Sequence, residues 1–428
     1  MEDDSIPVTV LSGTLGAGKT TVLNHMLSET DRDLAVLVND MGEVNVDADR
    51  VAESSDIADE DEELVELSNG CICCELRGDL LDAIGELTAS DRAFDALVVE
   101  STGVAEPLPV AQTLTLGFDQ SDLDPTEFYE ETGIEPLEGC HLDTTVTVVD
   151  AHQFHEAMQS DEILDDDGTE KHLGDLLVEQ VEFCDVLLLN KCDLVDEERL
   201  AKIEETLEML QPRAKIVRTE HGHVDSEELL ETDRFDFEEA SQSAGWIREL
   251  QQPHETAEEE HGVTSLVFEA RRPFHPERFA DLLDEFPDNV VRSKGHFWIA
   301  SREDDVITVN VAGQSVRVAP GGRWLDALPA EEREQQLEAN PELEAVWHDR
   351  WGDRNVRLVL IGTEMDHDAL RADLADCLLT DAELEEDWST YEDRFPTFER
   401  PDEDDEVPAE SDGDATAEDQ QEEIGIAD

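Results

Sequence analysis

Apolar residues in the first half of the chain fall in short unbroken runs: Val8–Leu11, Leu34–Val38, Leu97–Val99, Thr144–Val149 and Val186–Leu189. Runs that do not alternate with polar residues predict strands covered on both faces. Between them lie amphipathic stretches with helical spacing, Lys19–Leu27, Leu76–Leu87 and Glu197–Leu210. That alternation predicts an α/β fold, a mostly parallel sheet with helices on both faces. Acidic stretches at 48–63, 118–143 and 159–170 read as loop insertions, and the polar, histidine-containing stretch 220–260 reads as a bridge. From Val263 the pattern changes to strand 264–270, helix 275–286, strands around 290–300 and 305–318, strand 356–361 and helix 366–378. This mixed order predicts a smaller α+β domain. The expected organisation is a first domain over 1–220, a linker over 221–262, a second domain over 263–398 and a tail over 399–428, with no internal repeat.

Charge changes the picture of the surroundings more than of the fold. The formal charge is −83, from 112 acidic against 29 basic residues. Residues 401–428 hold thirteen Asp or Glu and no Lys or Arg, the composition of a disordered acidic tail. The rest of the excess is spread over the folded part, where self-repulsion destabilises a compact state unless salt screens it. The simplest reading is a cytoplasmic protein of a salt-rich, halophilic cell, with an acidic surface for a basic partner as the alternative. No basic stripe exists to meet nucleic-acid phosphates, so no nucleic-acid partner is expected. No apolar run is long enough for a membrane span, and the opening Met1-Glu2-Asp3-Asp4 does not look like a secretory leader. Seven cysteines in such a chain are read for metal or redox chemistry rather than disulfides. Cys140, Cys184, Cys192 and Cys377 stand alone and are expected to pack as small hydrophobes.

Lysine is scarce, with six in the chain, and two of them fall in motifs. Gly13-Thr14-Leu15-Gly16-Ala17-Gly18-Lys19-Thr20 follows a predicted strand and opens a predicted helix, the setting a phosphate loop requires. Its backbone N–H groups, including those of Gly13, Gly16, Ala17 and Gly18, are placed to curl around phosphates. Lys19 reaches the β/γ oxygens, and Thr20, followed by Thr21, can ligate Mg²⁺. Asn190-Lys191-Cys192-Asp193 ends another strand. There Asp193 can accept both donors of a guanine edge while Asn190 and Lys191 pin nearby loops, which favours GTP over ATP. Glu100 ends the third strand, where an acid can hold the Mg²⁺ water shell or orient an attacking water; an ordinary strand-terminal carboxylate is the plainer alternative. Asn39-Asp40-Met41-Gly42-Glu43 sits where a nucleotide-sensing loop would be, making Asp40 and Glu43 candidate Mg²⁺ or metal contacts.

Between these motifs stands Cys71-Ile72-Cys73-Cys74. Cys71 and Cys74 share a face if a helix starts here, whereas the adjacent Cys73 and Cys74 cannot point the same way in regular structure. A helix N-terminus would favour thiolates. Three sulfurs suit Zn²⁺ or Cu(I), or Co²⁺ with added ligands, and leave a coordination position open. A redox thiol pair or plain buried cysteines fit the spacing equally well. His152 and His155, and His221 and His223, read as surface pairs rather than ligand sites.

With these pieces in order the chain resembles the CobW-type P-loop GTPases, a family of proposed metallochaperones. The resemblance rests on Gly13–Thr20, Asn39–Glu43, Gly70–Cys74, Glu100-Ser101-Thr102-Gly103-Val104-Ala105-Glu106-Pro107 and Asn190–Asp193. In the second domain it rests on Arg271-Arg272-Pro273-Phe274-His275-Pro276-Glu277-Arg278-Phe279 and Arg292-Ser293-Lys294-Gly295-His296-Phe297-Trp298. It implies a P-loop NTPase fold and a GTPase with Lys19, Glu100 and Asp40 in catalytic roles and Mg²⁺ held at Thr20 and Glu100. It also implies Zn²⁺ on Cys71, Cys73 and Cys74, with Glu43 or a client residue as fourth ligand, and delivery to a client metalloprotein. A homodimer is compatible with it. The long C-terminal domain looks most like the zinc-associated subgroup. Two departures stand out: Val38 where some members carry an acid, and no His-rich loop. The rival readings are an activator of a cobalt or nickel enzyme, a non-enzymatic zinc buffer or sensor, and a thiol-redox protein. No arginine finger is evident in the motifs, so intrinsic turnover is expected to be slow.

Overall fold

The computed structural model describes residues 5–39, 64–67, 94–101, 139–158, 163–166, 169–236, 263–340 and 347–396, with isolated positions between them. Asp40, Glu43, Cys71, Cys73 and Cys74 lie outside the described residues, as does the expected insertion 48–63.

The first sheet contains β1 (Ile6–Gly13), β2 (Leu34–Asn39), β3 (Leu64–Leu67), β4 (Ala96–Glu100) and β5 (Cys140–Asp150). A hairpin, β6 (Ile163–Asp166) and β7 (Thr169–His172), stands apart, and β8 (Val186–Asn190) and β9 (Lys215–Arg218) complete the sheet. Its order is β3-β2-β4-β1-β5-β8-β9, with every pairing parallel. The helices described around it are α1 (Lys19–Glu29), α2 (Phe154–Met158), α3 (Leu173–Glu182) and α4 (Glu197–Leu210).

Unbroken apolar runs follow from burial on both sides. Along β4, Leu97 and Val99 pack with Val8 and Val10 of β1 and with Leu80, Ile84 and Leu87. The intervening Ala96 and Val98 face Val22, Leu23 and Met26 of α1. A parallel sheet with helices on both faces is therefore what the pattern encodes.

Three segments differ from expectation. Cys140–Asp143 belongs to β5, not to a loop: Cys140 is fully buried beside Ile6, extending the strand beyond its β-branched centre. Ile163–Asp166 and Thr169–His172 pair as antiparallel strands where a loop is expected over 159–170, the pairing running two residues past it. Residues 221–236, expected to begin a linker, pack on the first domain. Leu229 and Leu230 join its core, Thr9 Oγ1 donates to the Leu229 carbonyl at 2.9 Å, and Asp143 accepts from the N–H groups of Thr232 and Asp233.

The second sheet is antiparallel: β10 (Val263–Ala270), β11 (Val290–Phe297), β12 (Asp305–Ala312), β13 (Ser315–Arg323) and β14 (Val356–Thr363), in the order β10-β14-β11-β12-β13. It is accompanied by α5 (Pro276–Asp284), α6 (Ala330–Ala339) and α7 (His367–Asp376). The motif-like segments of this domain are structural. Phe274 stacks on Phe279 at 4.0 Å between ring centroids, and Phe297 meets Phe279 edge-on at 4.7 Å. Arg292, fully buried, makes a bidentate pair with Glu182 at the end of α3, both bonds 2.7 Å. It also donates to Asn310 Oδ1 and the Val311 carbonyl. Nearby, Asp175 of α3 accepts from Asn310 and Ser315, each at 2.8 Å, and pairs with Arg317 at 2.6 Å. The two sheets are thus joined through a polar seam. No helix among the described residues is long and apolar enough to cross a membrane.

Candidate nucleotide site

The ends of β1, β4, β5 and β8 converge on the start of α1. Gly13 closes β1, and the chain then turns through Gly16 (φ 80°) and Gly18 (φ 111°) into the helix. A side chain at Gly18 would bring its Cβ within 2.4 Å of Asn190 Nδ2, so the left-handed turn and the close approach both require glycine. Ala17 is fully buried beneath the loop. Lys19, the first helical residue, donates to the Gly13 carbonyl at 2.8 Å, keeping an ammonium inside the loop. Thr20 Oγ1 donates to Glu100 Oε1 at 3.3 Å. Glu100 is 2 % exposed at the C-terminal end of β4, and Ser101 ties that end back to β1 through the Leu11 carbonyl and Ser12 Oγ. A buried carboxylate against a threonine hydroxyl is an oxygen donor set that fits Mg²⁺. Thr21 is exposed and lies beside Gly222.

Asn190, at the end of β8, is the junction of this end of the sheet. Its Nδ2 donates to the Ala17 carbonyl at 3.0 Å, and its Oδ1 accepts from Thr219 Oγ1 and the Gly222 N–H, each at 3.0 Å. Lys191 holds a left-handed conformation (φ 62°), rare outside glycine. Its Nζ donates to the Gly16 carbonyl at 2.8 Å and to Asp150 Oδ2 at 2.5 Å. These bonds offset a backbone cost of ~1–2 kcal/mol. Asp193 is an exposed residue in the following 3-10 turn, its side chain 28 % exposed and its carboxylate 3.8 Å from His221 Nε2. Leu15 and Leu194, the large apolar side chains exposed among the described residues, lie in the phosphate loop and directly after Asp193.

The structure therefore brings Gly13–Thr21, Glu100, Asn190, Lys191 and Asp193 to one end of the sheet. Sequence reasoning missed Asp150, Thr219 and Gly222. Asp150 could have been found as an acid ending a strand next to β8, across from Asn190 in register. Thr219 and Gly222 gave no signal, because they act only through Asn190. The four isolated cysteines are buried as expected. Burial pushes the thiols of Cys140 and Cys377 up to about 11 and raises those of Cys184 and Cys192, which leaves them poor metal ligands.

Fold and site define a P-loop nucleotide-binding protein with the guanine-type Asn-Lys-x-Asp arrangement. Residues 7–218 match the family described as "CobW/HypB/UreG, nucleotide-binding domain", and residues 263–378 match "Cobalamin synthesis protein cobW C-terminal domain". The chain is 40% identical over 410 residues to zinc-regulated GTPase metalloprotein activator 1 of Dictyostelium discoideum, covering 91% of this chain and 83% of that protein. It is 32% identical over 303 residues to the zinc chaperone YjiA of Escherichia coli, covering 69% of this chain and 82% of that one. Among solved structures, Zn(II)-bound YjiA GTPase from E. coli aligns over 88% of this chain and 99% of that chain, at 24% identity and a TM-score of 0.38. The chain belongs to the CobW family.

Proposed function

We propose that this protein is a GTP-hydrolysing metallochaperone that carries Zn²⁺ to a client metalloprotein. The observation that carries the nucleotide half is the Asn190 junction, which locks the guanine-reading strand end to the phosphate loop through Ala17. Guanine N1–H and N2–H₂ are bound by the Asp193 carboxylate, whose ionised oxygens accept both donors. Lys191 braces the loop from the base side through Gly16. The phosphates lie on the N–H groups of residues 16–20, and the Lys19 ammonium moves from the Gly13 carbonyl to the β/γ oxygens. Mg²⁺, when bound, neutralises charge that develops on those oxygens. Thr20 and Glu100 would hold it, and Glu100 fixes the Thr20 hydroxyl.

The metal half rests on sequence and family. Cys71, Cys73 and Cys74 bind the transported Zn²⁺, with Glu43 or a client residue completing the set. Asp40 belongs to the loop that responds to the γ-phosphate, so hydrolysis changes how firmly the thiolates hold their ion. The zinc names of the relatives favour Zn²⁺ over Co²⁺ or Ni²⁺, and the acidic composition supports a halophilic cytoplasm as the working medium.

The test is anaerobic purification in molar KCl followed by zinc analysis with a GTP analogue and with GDP. Different zinc contents are expected in the two states, with the difference lost in Cys71→Ser/Cys73→Ser/Cys74→Ser. Equal zinc in both states, or unchanged zinc in the triple variant, would reject the metal half. In the same samples Lys19→Ala should abolish GTP hydrolysis, and ATP should not substitute for GTP; hydrolysis that survives either change rejects the nucleotide half.

A further inference from the structure

Three side chains with no part in nucleotide binding meet on the outer side of α1. His25 and Glu29 are one helical turn apart and project from the same face. His223 arrives from the turn after β9, closed by the His223 N–H donating to the Glu220 carbonyl at 3.1 Å. One ligand atom from each of the three lies within 4.8 Å of the others. His25 Nδ1 is 3.9 Å and His223 Nδ1 is 3.5 Å from Glu29 Oε1, and the two imidazole rings are 3.7 Å apart.

His25 is prepared as a ligand by its other nitrogen. Nε2 lies 3.1 Å from the His221 carbonyl, which only accepts, so in the neutral ring Nε2 carries the hydrogen and Nδ1 keeps its lone pair. A histidine ring N–H donated to a backbone carbonyl is the usual support behind a metal-bound imidazole. Ligand atoms around tetrahedral Zn²⁺ are roughly 3.3 Å apart, given bond lengths near 2 Å. The observed separations reach that by small side-chain rotations, because all three side chains are at least partly exposed. An open cleft of about 430 Å³, lined by Glu29, His223 and residues 224–226, gives access.

We propose that His25, Glu29 and His223 form a second transition-metal site, independent of the cysteines, that takes Zn²⁺ through two imidazole nitrogens and one carboxylate oxygen. Water fills the fourth position. This donor set favours Zn²⁺, Co²⁺ or Ni²⁺ over Mg²⁺ and Ca²⁺. The site separates the two histidines that looked like a pair in sequence. The His221 ring lies 3.8 Å from Asp193, while His223 joins α1. An ion here braces the turn that Asn190 holds at Gly222 against the helix that begins at Lys19, so metal and nucleotide would influence each other reciprocally.

The test uses the full chain carrying Cys71→Ser/Cys73→Ser/Cys74→Ser, titrated with Co²⁺ and Zn²⁺ in molar KCl; replacing the cysteines throughout keeps failure of the cysteine site from affecting the result. One Co²⁺ with the intense visible band of four-coordinate nitrogen and oxygen ligation is expected, distinct from the pale six-coordinate Co²⁺ of an acidic surface. Adding His223→Asn, His25→Asn or Glu29→Gln should remove the band and weaken Zn²⁺ binding by at least ~10-fold. His152→Asn, at an exposed histidine outside the cluster, should leave both unchanged. Metal-free unfolding midpoints identify any variant that fails to fold, and Zn²⁺ should raise the midpoint of the parent but not of the three ligand variants. Absence of the band in the parent, or its persistence with unchanged Zn²⁺ affinity in the folded ligand variants, would overturn the proposal.

Discussion

Two buried polar side chains, Asn190 and Arg292, each hold several segments together, and they do so with opposite electrostatics. Asn190 is neutral and binds loop groups: the Ala17 carbonyl, Thr219 Oγ1 and the Gly222 N–H. Arg292 is charged and fully buried; it reaches Glu182 across the seam between the sheets and holds Asn310 and the Val311 carbonyl on the neighbouring strand of its own sheet. A neutral amide can release one partner and remake it while leaving no charge in a dry interior, at a net ~0.5–1.5 kcal/mol per bond. A broken buried ion pair leaves an uncompensated charge. Movement is cheap at the amide and costly at the ion pair. Loops that must follow a nucleotide hang from an amide, and the joint between domains is held by a pair that is costly to open.

The largest effect should come from breaking the charged junction. Arg292→Met leaves the buried Glu182 carboxylate without its bidentate partner and is expected to cost ~3–5 kcal/mol, read as a lowered urea midpoint in high salt. Guanine-nucleotide affinity below the transition should stay within error, because Arg292 is remote from the phosphate loop. The double change Arg292→Met/Glu182→Leu should recover most of the loss. A single variant that costs under ~1 kcal/mol would mean that the seam is as loose as the loops.

Asn190→Ala should cost less stability and more function. Removing three 3.0 Å hydrogen bonds is expected to lower stability by ~2–3 kcal/mol. Guanine-nucleotide affinity, measured by calorimetry, should fall by at least ~10-fold, since 1.4 kcal/mol is tenfold. Gly222→Ala tests the same junction more gently. Its φ of 76° and a Cβ position 3.1 Å from the Val22 nitrogen predict a cost of ~1–2 kcal/mol and a smaller affinity loss. If Gly222→Ala weakened nucleotide binding more than Asn190→Ala, the turn and not the amide would be the organising element.

Much of this was legible in the sequence, and the limits have physical causes. Val8–Leu11, Leu97–Val99 and Val186–Leu189 announced their strands because both faces are buried, and the phosphate loop and Asn190–Asp193 announced themselves by fixed spacing at strand ends. Lys215–Arg218 escaped notice because an edge strand with half-exposed side chains lacks an unbroken apolar run. The packing of 221–236 escaped because only Val224, Leu229 and Leu230 of it enter the core, too few to form a periodic pattern, while the N–H groups of Thr232 and Asp233 donate to a distant Asp143. Arg292 and Lys294 read as family markers. Arg292 is placed in the seam by its pair with Glu182 of α3, a tertiary contact that no local pattern encodes. The cluster of His25, Glu29 and His223 unites residues nearly two hundred positions apart, beyond any spacing rule.

The smallest expected effect is pH-dependent and belongs to the second domain. Burial holds the imidazoles of His275 and His296 below the ordinary value of 6.5; for His275 the Arg278 guanidinium adds to it, and for His296 the bond to Asn355 opposes it. The unfolded chain therefore binds more protons than the folded one once the pH falls through 6.5. Stability is full above that value and is lost as the pH drops toward the folded pKa values. Glu383 acts in a separate, lower window. Its pairing with Arg278 lowers its carboxyl from 4.5 to about 2, so its contribution persists above 4.5 and is lost as the pH falls to about 2. Urea midpoints across the two windows should show two acid-side declines, the upper one shallower in His296→Asn and the lower one shallower in Glu383→Gln. A His296→Asn profile that matched the parent between pH 6.5 and 4.5 would show that the buried histidine does not titrate with unfolding.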